Sequence, residues 1–412
     1  MKKNILFLAV LLSAISVNAQ NPEWIVYDTA NSSLPDNNIN TITIDEQGDK
    51  WIGTLNGLAK FYGTYWDVYD ADNSGLPHNN IGPIAIDEQG NKWICTAGGG
   101  LAKFNGSNWE NYDTVNSELT TNIVISITID NDQNKWIGTF GGGLAKFNGT
   151  TWNIYNESNS NLPDNIVGSI SIDNQGNKWM GTKYSGLVKY DGTDWTVYDT
   201  VNSGLPDNLV MSILIDNNQD KWIGTAYGGL AKYNGTNWTV YDTVNSGLPD
   251  NWVSSIAIDD NQNIWIGTEY GGLAKFDGTD WTVYNIDNSG LPSNSIRTIA
   301  IDNNQNKWIG TKDGGLAVYN ENGVIFGVDD EKMVSNKDFT VYPNPATTQI
   351  SLDVKTDGVV SVYTMQGKKM LSSRHHANSK QNINISHLPK GLYVIKFKSN
   401  DGKVSIEKLV VW

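Results

Sequence analysis

Ile215-Asp-Asn-Asn-Gln-Asp-Lys-Trp-Ile-Gly-Thr-Ala-Tyr-Gly-Gly-Leu-Ala-Lys-Tyr-Asn-Gly235 is one copy of a motif that returns seven times in a chain of 412 residues. The pattern Lys-Trp-Ile-Gly-Thr sets Trp51, Trp93, Trp136, Trp179, Trp222, Trp265 and Trp308 at a first step of 42 residues and later steps of 43. A second set keeps the same step: Trp24, Trp66, Trp109, Trp152, Trp195, Trp238 and Trp281, each opening a run such as Trp238-Thr-Val-Tyr-Asp242. Within a period the apolar residues form four short runs, here Val210 to Ile215, Trp222 to Thr225, Leu230 to Tyr233 and Trp238 to Tyr241. Gly, Asn and Asp clusters separate them, and no stretch carries a helical period. Four short antiparallel strands in about 43 residues predict the blade of a β-propeller, since leucine-rich repeats are about half as long and helical repeats need a period of 3.6.

The frame of the repeat predicts how the ring closes. The chain enters on an outer-type strand, Trp24 to Asp28, while the last period, Ile296 to Asn320, lacks its tryptophan strand. Pairing Trp24 to Asp28 with Leu316 to Tyr319 completes seven blades and leaves no open edge. The expected fold is therefore all-β, a seven-bladed propeller over residues 20–320 with four-stranded blades. The fourteen repeat tryptophans are expected to be core, each able to bury on the order of 150–250 Å². Gly pairs such as Gly228-Gly229 suit tight turns, and Leu-Pro pairs such as Leu205-Pro206 stiffen the crossings between blades. Leu119-Thr120 departs from that pattern.

The two ends differ from the repeats. Lys2 and Lys3, an apolar run from Ile5 to Val17 and Val17-Asn18-Ala19 read as a secretory signal peptide over residues 1–19. No other stretch approaches the eighteen or so apolar residues of a membrane span, and no cysteine follows the signal to carry a lipid. Formal charge is −15, and more negative once Lys2 and Lys3 are removed, which argues against nucleic acid and anionic lipid as partners. Cys95 is the single cysteine, so no internal disulfide can form, and a small buried side chain is expected there.

The combination Ile-Asp-Xaa-Xaa-Gly-Xaa-Lys-Trp-Ile-Gly-Thr followed by Gly-Gly-Leu-Ala-Lys-Phe-Xaa-Gly resembles the two-component-regulator propeller repeat, over residues 24 to about 320. That family is known from periplasmic sensor halves of hybrid histidine kinases in Bacteroidetes, many of which detect oligosaccharides. No kinase module, membrane helix or DNA-binding tail accompanies the repeats, so the resemblance implies the ring and not the signalling. Residues 338–412 resemble the C-terminal sorting domain of type IX secretion. The motifs are Val341-Tyr342-Pro343-Asn344-Pro345, the strand Val359 to Tyr363 with Gly367, Leu388-Pro389-Lys390-Gly391-Leu392-Tyr393-Val394, and Lys408-Leu409-Val410-Val411. This implies a small β-sandwich, joined by a linker at 321–337, that engages the type IX machinery and leaves the propeller released or displayed at the outer-membrane surface.

Catalytic groups are scarce. The propeller holds one histidine, His78, read as a loop residue, and His375, His376 and His387 belong to the tail. No Ser, His and Asp set stands out. Antibiotic-cleaving lyases of a related seven-bladed type share similar blades, but their catalytic histidine has no counterpart late in these repeats. Asp45, Asp87, Asp130, Asp173, Asp216, Asp259 and Asp302 each open a first hairpin, as turn-forming residues do. Asp130-Asn-Asp-Gln-Asn134 alternates oxygen ligands like a calcium loop but lacks the glycine and closing glutamate, so turn formation explains it better and no metal or cofactor is expected, calcium being the alternative.

Binding residues are sought where the repeats differ. After Gly-Thr the variable pair reads Leu55-Asn56, Ala97-Gly98, Phe140-Gly141, Lys183-Tyr184, Ala226-Tyr227, Glu269-Tyr270 and Lys312-Asp313. The starts of the inner strands add Trp252, Met211 and Arg297. Phe140, Tyr184, Tyr227, Trp252, Glu269, Tyr270 and Arg297 are the candidates for holding a glycan or protein ligand, because rings stack and charges orient. The expected function is a non-enzymatic recognition module or scaffold, with an extracellular hydrolase or lyase acting in the channel as the alternative. Asp-Thr followed by Ala or Val, at Thr29, Thr114, Thr200 and Thr243, resembles the O-glycosylation acceptor of exported Bacteroidetes proteins.

Overall fold

The computed structural model describes residues 22–63, 65–324, 339–364, 369–377, 380–400 and 404–411. The signal peptide expected at 1–19 and residues 325–337 of the expected linker lie outside them. Every regular element described is a strand. Seven four-stranded antiparallel sheets form the ring, and blade five shows the plan: Val210–Ile215 innermost, then Lys221–Thr225, Leu230–Tyr233 and Trp238–Tyr241. Each innermost strand packs beside those of the neighbouring blades around the central channel. The entering strand, Trp24–Tyr27, pairs with Leu316–Tyr319 in the register Trp24↔Tyr319 to Tyr27↔Leu316, so blade seven is shared between the two ends of the ring. The Asn320 and Val324 amides donate to the Glu23 and Pro22 carbonyls, which extends the closure past the strand.

The two tryptophan sets do different work. The Lys-Trp-Ile-Gly-Thr set is buried throughout. Each of its indole N–H groups donates to the aspartate that opens the same hairpin, at 2.8–3.1 Å. The second set is only half-buried, which corrects the expectation that all fourteen are core. These rings cover the outside of each blade, stacking on the Phe or Tyr of the third strand with centroids 4.3–4.6 Å apart in six blades.

Contacts between blades come from residues flanking the buried tryptophan. The lysine before it reaches over the buried tryptophan of the preceding blade at 4.5–4.9 Å in six blades, a cation–π contact. Blade six has Ile264 there instead. The glycine after it allows close approach: a Cβ on Gly224 would stand 2.6 Å from Val253 of the next blade. Blade two carries Cys95 at that position, fully buried opposite Gly82, and burial pushes its thiol well above the ordinary range.

The C-terminal residues form two sheets, one of Phe339–Tyr342, Gln349–Val354 and Lys380–Asn384 and one of Lys369–His375, Gly358–Thr364, Gly391–Ser399 and Val404–Val411. Ile350, Leu352, Val360, Val362, Ile395 and Phe397 meet between them as a sandwich core. Asn344 Oδ1 accepts the Val410 N–H at 2.9 Å, so two distant tail motifs are one structural unit.

Candidate functional site

The turns between second and third strands lie on the same face as the crossings between blades. Those crossings contain Leu162-Pro-Asp-Asn165, Leu205-Pro-Asp-Asn208 and Leu248-Pro-Asp-Asn251 ahead of blades four, five and six. In each the aspartate bonds twice. Asp207 Oδ1 accepts the Leu209 N–H at 3.1 Å and Oδ2 the Tyr227 N–H at 2.8 Å. Asp164 does the same for Ile166 and Tyr184, and Asp250 for Trp252 and Tyr270. One carboxylate thus caps its own turn and holds the neighbouring hairpin at its tyrosine. Gly229, at φ +83° with the Tyr241 carbonyl 2.3 Å from where a Cβ would be, gives that hairpin its tight return.

The result is three tyrosines delivered by identical local geometry, 65, 67 and 69% exposed at Tyr184, Tyr227 and Tyr270. Trp252 stands between the last two, edge-to-face at 5.3 Å from Tyr227 and 6.4 Å from Tyr270. Ile166 and Leu209, which match Trp252 in the two preceding crossings, are half-buried. Phe140 of blade three extends the series, and the Lys183 ammonium lies 5.2 Å from its ring centroid and 5.1 Å from that of Tyr184. An apolar arc therefore runs over blades three to six. At its far end Glu269 is neutralised by Lys312 at 3.0 Å.

Six of the seven candidate residues fall on this arc. Arg297 does not: it lies on the innermost strand Ile296–Ile301 and donates from Nη1 to Asn40 Oδ1 of blade one at 3.2 Å, on the channel wall. Lys183 and the supports Asp164, Asp207 and Asp250 were not among the candidates, although Leu-Pro-Asp-Asn before each tyrosine blade was visible in the sequence. His78 takes the aspartate's place in the crossing before blade two, and its Nδ1 accepts the Asn80 N–H at 3.0 Å, as Asp207 does for Leu209.

The aspartates of the first hairpins are engaged in structure. Asp130 accepts bonds from the Asp132 and Asn134 amides, the Asn134 side chain and the Trp136 indole. Among the described residues no group of three or more His, Cys, Asp or Glu is arranged to hold a metal ion. Thr29, Thr114, Thr200 and Thr243 are exposed on the outer rim of the loop face, each donating its backbone N–H to an asparagine eight residues on.

Residues 340–412 match the secretion system C-terminal sorting domain family, and residues 247–270 match the two component regulator propeller family. No curated protein matches the chain. Among solved structures, the extracellular domain of the hybrid two component system BT3049 from B. thetaiotaomicron is 20% identical with a TM-score of 0.65, covering 95% of this chain and 57% of that one. PorZ, a surface component of the type-IX secretion system of Porphyromonas gingivalis, is 17% identical with a TM-score of 0.59, covering 92% and 60%. Virginiamycin B lyase from Staphylococcus aureus is 14% identical with a TM-score of 0.59, covering 72% and 98%. The chain spans a little over half the length of the first of these, and likeness at such identity is likeness of fold. No helix of the described residues is long and apolar enough to cross a membrane, and the matched tail implies export to the cell surface or beyond. The chain thus carries seven four-stranded blades, one stretch of which matches the two component regulator propeller family, followed by a tail that matches the sorting domain family.

Proposed function

We propose that the propeller is an exported, non-enzymatic recognition module that binds a glycan or a protein segment on the aromatic arc of its loop face. The observation that carries this reading is the repeated presentation of Tyr184, Tyr227 and Tyr270, each held by an aspartate yet left two-thirds exposed. Clustered exposed rings are unusual on a surface with no partner, and they offer stacking faces and hydroxyls together. Glycan-array and pull-down screens of the secreted protein should return a ligand, and the same screens with Tyr227→Ala/Tyr270→Ala should lose it. Silence across both screens would sink the idea.

The rival reading, a hydrolase or lyase, draws on the shared fold with virginiamycin B lyase. It is weakened by the groups it would use. His78 spends Nδ1 on a turn, and Glu269 is paired with Lys312. An enzyme would lose turnover in His78→Ala or Glu269→Gln, whereas a binding module would have none to lose.

Export would begin with removal of a signal peptide at residues 1–19 and end with the propeller released or held at the outer surface. Thr29, Thr114, Thr200 and Thr243 are the sites proposed for O-glycosylation. Val115, Val201 and Val244 beside three of them are almost fully exposed, with no packing role to explain them. Intact mass of the secreted protein decides this, and agreement with the unmodified chain would rule the glycans out.

A further inference from the structure

One hairpin of the ring breaks the repeat. The turn between third and fourth strands reads Asn105-Gly-Ser-Asn108, Asn148-Gly-Thr-Thr151, Asp191-Gly-Thr-Asp194, Asn234-Gly-Thr-Asn237 and Asp277-Gly-Thr-Asp280 in blades two to six. Those first and last residues are polar and exposed, and the first caps the turn with its side chain. In blade one the corresponding residues are Tyr62 and Tyr65. The two rings meet across the turn at 5.6 Å, but tyrosines cannot cap it, and without a partner they would expose large rings to water. Yet Tyr65 is only 5% exposed.

What covers it is the C-terminal sandwich. The Lys396 ammonium lies 4.0 Å from the Tyr65 ring centroid and 5.6 Å from that of Tyr62, and Tyr363 meets Tyr65 edge-to-face at 5.3 Å. Tyr363 and Lys396 belong to adjacent strands and point away from the sandwich core, as the register Ser361↔Lys396 and Tyr363↔Val394 requires. Val394, on the same face, is buried although it is no part of that core. Asp67 of blade one accepts a bond from the Tyr62 hydroxyl at 3.3 Å and adds a negative charge beside Lys396. Burial pulls the Lys396 ammonium below the ordinary lysine range, with Asp67 opposing the shift.

We propose that blade one carries a docking site for the chain's own sorting domain, made by replacing the two polar turn residues with Tyr62 and Tyr65 to receive Lys396 and Tyr363. The ring is otherwise close to seven-fold, so a tail seated by generic blade surface would have several equivalent positions; the tyrosine pair specifies one. Antiparallel strands place this turn at the opposite end of the blade from the turns that carry the aromatic arc. The docked tail therefore leaves the arc open while the chain is exported.

The repeat itself supplies a control variant, since Asn-Gly-Thr-Asn is the working turn of blade five. In the full chain, a carboxylate-to-amine coupling reagent followed by peptide mass spectrometry should join Asp67 to Lys396. Tyr62→Asn/Tyr65→Asn should cut that product at least ten-fold and raise the radius of gyration in small-angle scattering, while the propeller melts as before. Absence of the product in the native chain, or an equal yield and unchanged scattering in the variant, would overturn the proposal.

Discussion

Trp24 stacks on Tyr319 with ring centroids 4.4 Å apart and planes 28° from parallel, joining the first strand of the ring to the last. The same stack recurs inside other blades, as between Trp152 and Phe147 at 4.3 Å, but there a short turn connects the two strands. Between Trp24 and Tyr319 the connection is the whole ring. Trp24→Ala is expected to cost roughly 2–3 kcal/mol, somewhat less than a fully buried tryptophan because this one is half-exposed. It should also accelerate unfolding more than Trp152→Ala, since it loosens the seam where the ring can open. Stopped-flow unfolding of the two variants checks this, and equal unfolding rates would show that the seam is not where opening starts.

Acid should unfold the ring over a narrow range. Burial pushes the Asp87, Asp130, Asp173 and Asp259 carboxyls upward, but bonds from the tryptophan indole, an asparagine side chain and backbone amides outweigh it and hold each below the usual range. A carboxyl depressed in the folded state contributes stability that is complete above its unfolded pKa, about 3.9, and lost as pH falls through the folded value. Melting temperature is therefore expected to stay level between about pH 7 and 5 and to drop below about pH 4. Asp173→Asn, which keeps an acceptor for Trp179 without the charge, should lower stability at pH 7 and lessen the acid drop. An unchanged acid profile in that variant would remove the hairpin aspartates as its cause.

The fold was legible because its signals are periodic. Trp222 and its six counterparts count the blades, and the unpartnered strand at Trp24 announces closure. The site was legible only in part. That Tyr184, Tyr227 and Tyr270 differ from the frame could be read from the chain. That Trp252 stands between two of them while Arg297 turns to Asn40 depends on which way neighbouring strands aim their side chains, and a single repeat does not record that. The lysine over the preceding blade's tryptophan escaped for the same reason, since its partner lies 41 or 42 residues back, or, for Lys50 and Trp308, at the other end of the ring. Tyr62 and Tyr65 were visible departures, but their meaning lay in a separate part of the chain.

Tyr227→Ala and Tyr270→Ala separate binding from stability. Both rings are mostly in water, so removing either should change unfolding free energy by less than about 0.5 kcal/mol. If the arc is the binding surface, each truncation should weaken the ligand found by screening by about ten-fold, or roughly 1.4 kcal/mol. Trp252→Ala should weaken it more, because it removes a contact surface and the wall against which both tyrosines rest. Titration calorimetry and thermal melting on the same samples distinguish these effects. Full affinity in all three variants would place the ligand elsewhere.

Gln219 shows a local strain kept for a contact across blades. Its φ is +66°, in a turn where blades one, two and four place Gly48, Gly90 and Gly176. The left-handed conformation costs a side-chain-bearing residue roughly 1–2 kcal/mol. Here the side chain offsets that cost by reaching the previous blade, where Oε1 accepts the Asn174 N–H at 2.9 Å, a bond worth about 1 kcal/mol. Gln219→Gly removes the strain and the bond together and is expected to be close to neutral. Gln219→Ala removes the bond but keeps the strain, and should be the less stable of the two by about 1 kcal/mol. Denaturant midpoints order the three proteins, and an alanine variant as stable as the glycine one would show that the turn is not strained.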